Sequence, residues 1–204
     1  EIEGLAGEFP PLSTREREKA RPRIPRRRAE VQVATTPLLE REAEVAALHA
    51  VVDGAASGAG RVVAIEGRAG MGKTRLVAEA RALATDVGFE VLVARSADLE
   101  QEFAFGVVRQ LFEPYLASLS TAERDEALSG TAGLAERLFG DEELTGAAAG
   151  DVSFAVLHGL YWLAANLAAT RPTAIVIDDL HWTDAPTLRW LAFLGRRLEG
   201  LPLL

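Results

Sequence analysis

Residues 61–74, RVVAIEGRAGMGKT, constrain this chain more than any other stretch. Gly67, Gly72, Lys73 and Thr74 fit the spacing G-x-x-x-x-G-K-[ST], the pattern of a loop that cradles phosphate groups. Val62, Val63, Ala64 and Ile65 before it form a short apolar run suited to a buried parallel strand. After it, Leu76, Val77, Ala80, Leu83 and Ala84 recur at helical spacing and predict a helix to about Val87. The chemistry is geometric. Gly67, Gly70 and Gly72 let the backbone turn tightly, so that the main chain from Gly67 through Ala69 and Met71 can aim its N–H groups at phosphate oxygens. The helix opening near Lys73 adds the partial positive charge of its first turn, and the binding stretch runs on to Arg75. Lys73 is expected to reach the β- and γ-phosphates, and the Thr74 hydroxyl to take one position on Mg²⁺.

Composition sharpens this reading at one position. The chain has 22 Lys and Arg residues, but only Lys19 and Lys73 are Lys. A planar guanidinium does not replace a compact ammonium threaded among phosphates, and position 73 keeps the rarer residue.

With 204 residues, 49% hydrophobic and 25% charged, the chain suits one globular domain with a tail. It has no Cys, which excludes disulfides and Cys-based zinc sites. A reducing, cytoplasmic compartment fits that composition. No charged-then-apolar opening marks a secretory signal. Residues 1–34 hold eight basic and six acidic side chains, leaving 14 basic and 24 acidic in the rest. An acidic body is not the footprint of a nucleic-acid binder. The run Lys19 to Arg28 carries six cations, but Pro22 and Pro25 deny it a regular helix. Residues 1–34 are therefore expected to be a disordered, basic, Pro-containing leader, and residues 35–204 the folded domain.

Along that domain, Glu40 to Val52 predicts a helix with Val45, Leu48 and Val52 on one face, ended by the glycine-rich link Gly54 to Gly60. Phe89 to Ala94 reads as a second strand, which makes a right-handed parallel unit with the first. Phe105, Val108, Leu111, Phe112 and Tyr115 mark a helical face, with Pro114 set to bend it. Thr121 to Leu128 and Thr131 to Phe139 predict two shorter helices, and Gly140 to Gly150 a surface loop. Val152 to Thr170 has no charge over 19 positions, close to a membrane span in length. Its place between two halves of one site favours a helix buried against a sheet. Asp184 is set to cap a helix from Pro186 to Leu198 with Leu188, Leu191, Leu194 and Leu198 facing the core. Leu201 to Leu204 reads as the start of a fourth strand.

Thr173 to Asp179, TAIVIDD, is an apolar strand that delivers two carboxylates at its C-terminal end, where open α/β sheets bind ligands. Asp178 is expected to hold Mg²⁺ through water. Asp179 is expected to orient or deprotonate the water that attacks the γ-phosphate, and is with Lys73 the predicted catalytic pair. On its own, a strand ending in two acids is equally a turn.

The segment from Asp178 to Leu191, DDLHWTDAPTLRWL, resembles the Walker B region of STAND-type signalling ATPases. It is most similar to that of the large ATP-binding LuxR-family regulators and related AAA-type modules of bacterial sensor proteins. LLEREAEVAAL from Leu38 resembles that family's first helix, and FAFGVVRQLF from Phe103 its internal helix. The resemblance covers residues 37–204. It implies a P-loop NTPase three-layer α/β sandwich of the ASCE type, with a mostly parallel sheet that is incomplete at the C-terminus. It also implies ATP and ADP as ligands with Mg²⁺, slow hydrolysis that serves as a timer, and ATP-dependent self-association. Leu38, Leu39 and Arg41 become candidates for the adenine pocket, although Glu40 stands where the family has a small Gly. Lid and output domains would lie beyond residue 204, with DNA contacted only through the latter, and no membrane is involved. A remodelling ATPase of the AAA+ kind, a small-molecule kinase and a binding module that does not hydrolyse remain open. So do the roles of His181, Trp182, Arg196 and Arg197.

Overall fold

The computed structural model describes residues 41–68, 70–98, 101, 103–140 and 154–204. The expectations for the leader at 1–34, for the loop at 141–150, and for Leu38, Leu39 and Ala69 lie outside them. The described residues form one body within Pro37–Leu204.

Helix α1 spans Glu42–Ala56, four residues past its expected end, with Gly54 inside its last turn. Helix α2 spans Lys73–Val87, with Gly72 and Gly88 at its two caps, both in the left-handed region. Strand β1, Glu90–Arg95, follows after Phe89. Then come α3, Gly106–Ser118, α4, Thr121–Ala127, and a 3₁₀ segment, Gly130–Phe139. Helix α5 spans Phe154–Thr170 and leads into β2, Thr173–Asp178. A 3₁₀ turn, Leu180–Trp182, precedes α6, Ala185–Gly195. No described helix is long and apolar enough to cross a membrane.

β1 and β2 pair in parallel from Glu90 with Thr173 to Arg95 with Asp178. Alternation sends their side chains to opposite faces. Leu92, Ala94, Ile175 and Ile177 join a large core with α3, α5, α6 and the 3₁₀ segment. Val91 and Ala174 join a smaller one with Val52 and Ala55 of α1 and Ala84 of α2. The molecule is thus α/β, with a helical layer against each face of the sheet.

The expected strand at 61–66 is not formed. A strand exists only where a ladder of backbone bonds runs along it, and this segment makes one such bond, from Arg61 N–H to the Leu203 carbonyl at 3.0 Å. Val62 and Val63 are consequently 66% and 40% exposed, not buried. The expected fourth strand is reduced to a parallel bridge between Leu203 and Thr173, which sets residues 202–204 beside β2. Gly60 is enclosed at this junction. A Cβ there would lie 2.6 Å from the carbonyl oxygens of both Leu198 and Leu201.

Residues 130–139 form the expected short helix, wound as 3₁₀. Three residues per turn align Ala132, Ala135 and Leu138, all buried, on one line against α5. Gly159 permits that approach, since a Cβ on it would sit 2.7 Å from the Ala135 nitrogen. In α6 the buried residues are Thr187, Trp190 and Leu194, with Leu198 beyond the helix, while Leu188 is 41% exposed. The Asp184 cap sets this phase, because its carboxylate accepts from both Thr187 N–H and Thr187 Oγ1. Pro114 is accommodated on the exposed side of α3.

Candidate functional site

α2 passes into β1 through Gly88 and Phe89 alone, so it must run antiparallel along the strand it packs on. Its 15 residues span about 22 Å, close to the roughly 20 Å of the six-residue strand. The start of α2 therefore lies at the carboxyl ends of β1 and β2. Lys73 opens α2 on that side, and at the strand ends Arg95 of β1 meets Asp179 of β2.

The loop is built by its glycines. Gly70 and Gly72 have φ of 79° and 78°, a region that side chains rarely adopt. A Cβ at either would meet nothing within 4 Å, so the loop borders open space and it is the backbone alone that requires glycine. Gly72 is the N-cap of α2, and its carbonyl accepts from Arg75 and Leu76. The Lys73 ammonium folds back over the loop and donates to the carbonyls of Gly67 at 2.8 Å and Arg68 at 3.1 Å. Thr74 is exposed in the first turn. Gly67 and Met71 are likewise exposed.

Arg41 caps α1 and donates to the Met71 carbonyl at 3.2 Å, tying the first helix to the loop. It also pairs with Glu44, and this guanidinium is the main cause holding the Glu44 carboxyl below the usual carboxylate range. A cavity of about 280 Å³ opens between α1 and residues 63–66, lined by Arg41, Leu48, Val51, Val63, Ile65 and Leu76 among others.

At the end of β2 the Asp178 carboxylate accepts from the Asp179 N–H at 3.0 Å. Asp179 adopts a left-handed backbone, φ 57°, which turns its side chain out of the strand's alternation. Its Oδ2 lies 3.3 Å from Arg95 Nε. The turn that follows is fixed from several sides. Ser96 and Thr183, both buried, share a hydroxyl bond at 2.6 Å. Gln101 donates to the His181 carbonyl. Asp184 accepts from the Phe105 N–H at 2.9 Å and so joins the start of α3 to α6. His181 and Trp182 face the surface with their rings 5.0 Å apart. Arg196 is exposed, and Arg197 lies over the Phe193 ring at 3.7 Å.

Arg95, Ser96 and Thr183 were not anticipated from the sequence. The available signal was register: FEVLVAR and TAIVIDD each end an apolar run on a charge, so pairing them level sets Arg95 against the two acids. No cluster of three metal-binding side chains occurs among the described residues. A magnesium ion held by one hydroxyl, one carboxylate and phosphate oxygens does not require such a cluster.

A glycine loop that opens a helix packed on a parallel sheet is the form of a nucleotide-binding α/β protein. The AAA ATPase domain family matches residues 37–204, and the chain belongs to that family, with the nucleotide-binding ATPase function that it implies. No curated protein and no solved structure matches the chain.

Proposed function

We propose that the chain is a switch domain of a signalling or transcriptional regulator, binding Mg·ATP at residues 67–75 and hydrolysing it slowly. The domain is read as residues 35–204. One observation carries the nucleotide reading: the Lys73 ammonium is held over an open glycine loop at the sheet edge to which β2 delivers Asp178 and Asp179. The regulator reading rests on the resemblance of DDLHWTDAPTLRWL and its companion segments to such proteins.

The residues fit the roles. The loop amides and Lys73 take the phosphates, and the apolar cavity beside Arg41 takes the base. Thr74 and Asp178 would hold magnesium, which when bound spreads the charge of the phosphates. Asp179 accepts a hydrogen bond from the attacking water. The water oxygen bonds to the γ-phosphorus as the bond to the β–γ bridging oxygen breaks; that oxygen leaves with the electron pair on the β-phosphate of ADP, and the water's proton passes to the released phosphate.

Calorimetry of the 204-residue chain with Mg·ATP tests the site. Lys73→Ala should abolish binding, and unchanged affinity would sink the proposal. Asp179→Asn should retain binding but slow phosphate release on the order of 100-fold or more; hydrolysis at the original rate would remove Asp179 from its role.

A further inference from the structure

We infer that the outer faces of α5 and α6 together form a docking surface for an acidic amphipathic helix of a partner protein.

Phe154, His158 and Trp162 are spaced by four along α5 and so stand in one row. Arg189, Phe193 and Arg197 make a second row along α6 and just past its end. Phe193 joins the two rows, with its ring centroid 5.7 Å from Phe154, 6.4 Å from His158 and 6.1 Å from Tyr161. Trp162 completes the cluster against His158 and Tyr161. Phe154 is 66% exposed and Trp162 41%. Single apolar side chains at a surface are ordinary, whereas a contiguous aromatic patch rimmed by charge marks a place of contact.

The patch is organised before anything binds. Trp162 Nε1 donates to His158 Nε2 at 3.1 Å, and Phe154 stacks on the His158 ring at 5.4 Å. The Arg197 guanidinium lies 3.7 Å over the Phe193 ring and donates to the Phe193 carbonyl. Rings that already hold one another lose little freedom when a partner arrives.

Charge identifies the occupant. The chain has a net charge of −8, yet neither α5 nor α6 contains Asp or Glu. Arg189, Arg196 and Arg197 are exposed, and among the described residues no carboxylate pairs with any of them. This face therefore opposes the sign of the chain that carries it, and it attracts acids. Arginines flanking an aromatic row match acids flanking an apolar stripe, which a helix supplies at three- and four-residue spacing. Nucleic acid suits the surface less well. Phe193 meets Phe154 and Tyr161 edge to face, so the cluster does not present a row of open ring faces for bases, and the acidic body repels a polyanion.

Fluorescence anisotropy with the 204-residue chain and a labelled synthetic helix, Leu on one face and Glu on its flanks, tests this. The Glu peptide should bind saturably, and its counterpart with Lys in place of Glu about tenfold or more weakly. Phe154→Ala and Trp162→Ala, whose side chains are exposed enough to leave folding intact by circular dichroism, should each weaken the Glu peptide about tenfold. Arg189→Glu combined with Arg196→Glu should reverse the preference, so that the Lys peptide binds more tightly. Absence of saturable binding, equal affinity for the two peptides, or a preference that survives the charge reversal would overturn the proposal. So would tighter binding of single-stranded oligothymidylate that Trp162→Ala abolishes, which would make the patch a nucleic-acid surface. Sedimentation of the chain alone as a dimer that Trp162→Ala dissociates would likewise overturn it and make the patch a contact between copies.

Discussion

Asp184 shows how much one residue can organise. Its carboxylate is 1% exposed and accepts three bonds: Thr187 N–H at 2.8 Å, Thr187 Oγ1 at 2.7 Å and Phe105 N–H at 2.9 Å. Phe105 has φ 61°, unusual for a bulky side chain, and its bond to Asp184 with burial of the ring hold it there. Asp184→Ala removes a helix cap and leaves a buried donor unsatisfied. It should cost about 3 kcal/mol in urea unfolding, while Asp184→Asn, which keeps one acceptor oxygen, should cost less. The capping role was legible in the order Asp-Ala-Pro-Thr. The bond to Phe105 was not, because the two residues are 79 positions apart and nothing local marks the meeting. Lys73 and the glycines were legible for the opposite reason: their chemistry lies within eight consecutive residues.

At the level of elements, the spacing of apolar residues located the helices and strands well, and failed where a tertiary partner sets the outcome. α2 and β2 lie within a residue of expectation. Residues 61–66 have the composition of a strand but make one ladder bond, which composition cannot reveal. The face of α6 is turned because Asp184 fixes Thr187 inward, and Trp190 follows it into the core, fully buried against Phe112 at 5.7 Å. The 3₁₀ segment was legible in retrospect as the three-residue spacing of Ala132, Ala135 and Leu138. Its contact with α5 depends on Gly159, where an added methyl group would reach the Ala135 nitrogen at 2.7 Å. Gly159→Ala should therefore destabilise the protein by about 2 kcal/mol despite its better helix propensity. A thermal melt checks it, and an unchanged or raised midpoint would contradict the close approach.

On the scale of the whole molecule, the α/β class and the gathering of charges at one sheet edge were predictable from the order of the motifs. The closure between residues 59–61 and 199–203 was not. Here Gly60 sits among the carbonyls of Leu198, Leu201 and Leu203, next to the Ala59–Glu199 bridge and the Arg61–Leu203 bond. Gly60→Ala should break this closure and lower the melting midpoint by about 6 °C, corresponding to roughly 2 kcal/mol, which scanning calorimetry would record. The two cores on opposite faces of the sheet carry a broader consequence. α1 and α2 belong to the smaller one, and α3, α5 and α6 to the larger. The loop that opens α2 and the aspartates that precede α6 thus come from separately packed halves, which meet at the pair of strands and at the closure of residues 59–61 on 199–203. A nucleotide seated between them would act as a rivet, tightening the halves against each other when it arrives and letting them slacken when it departs.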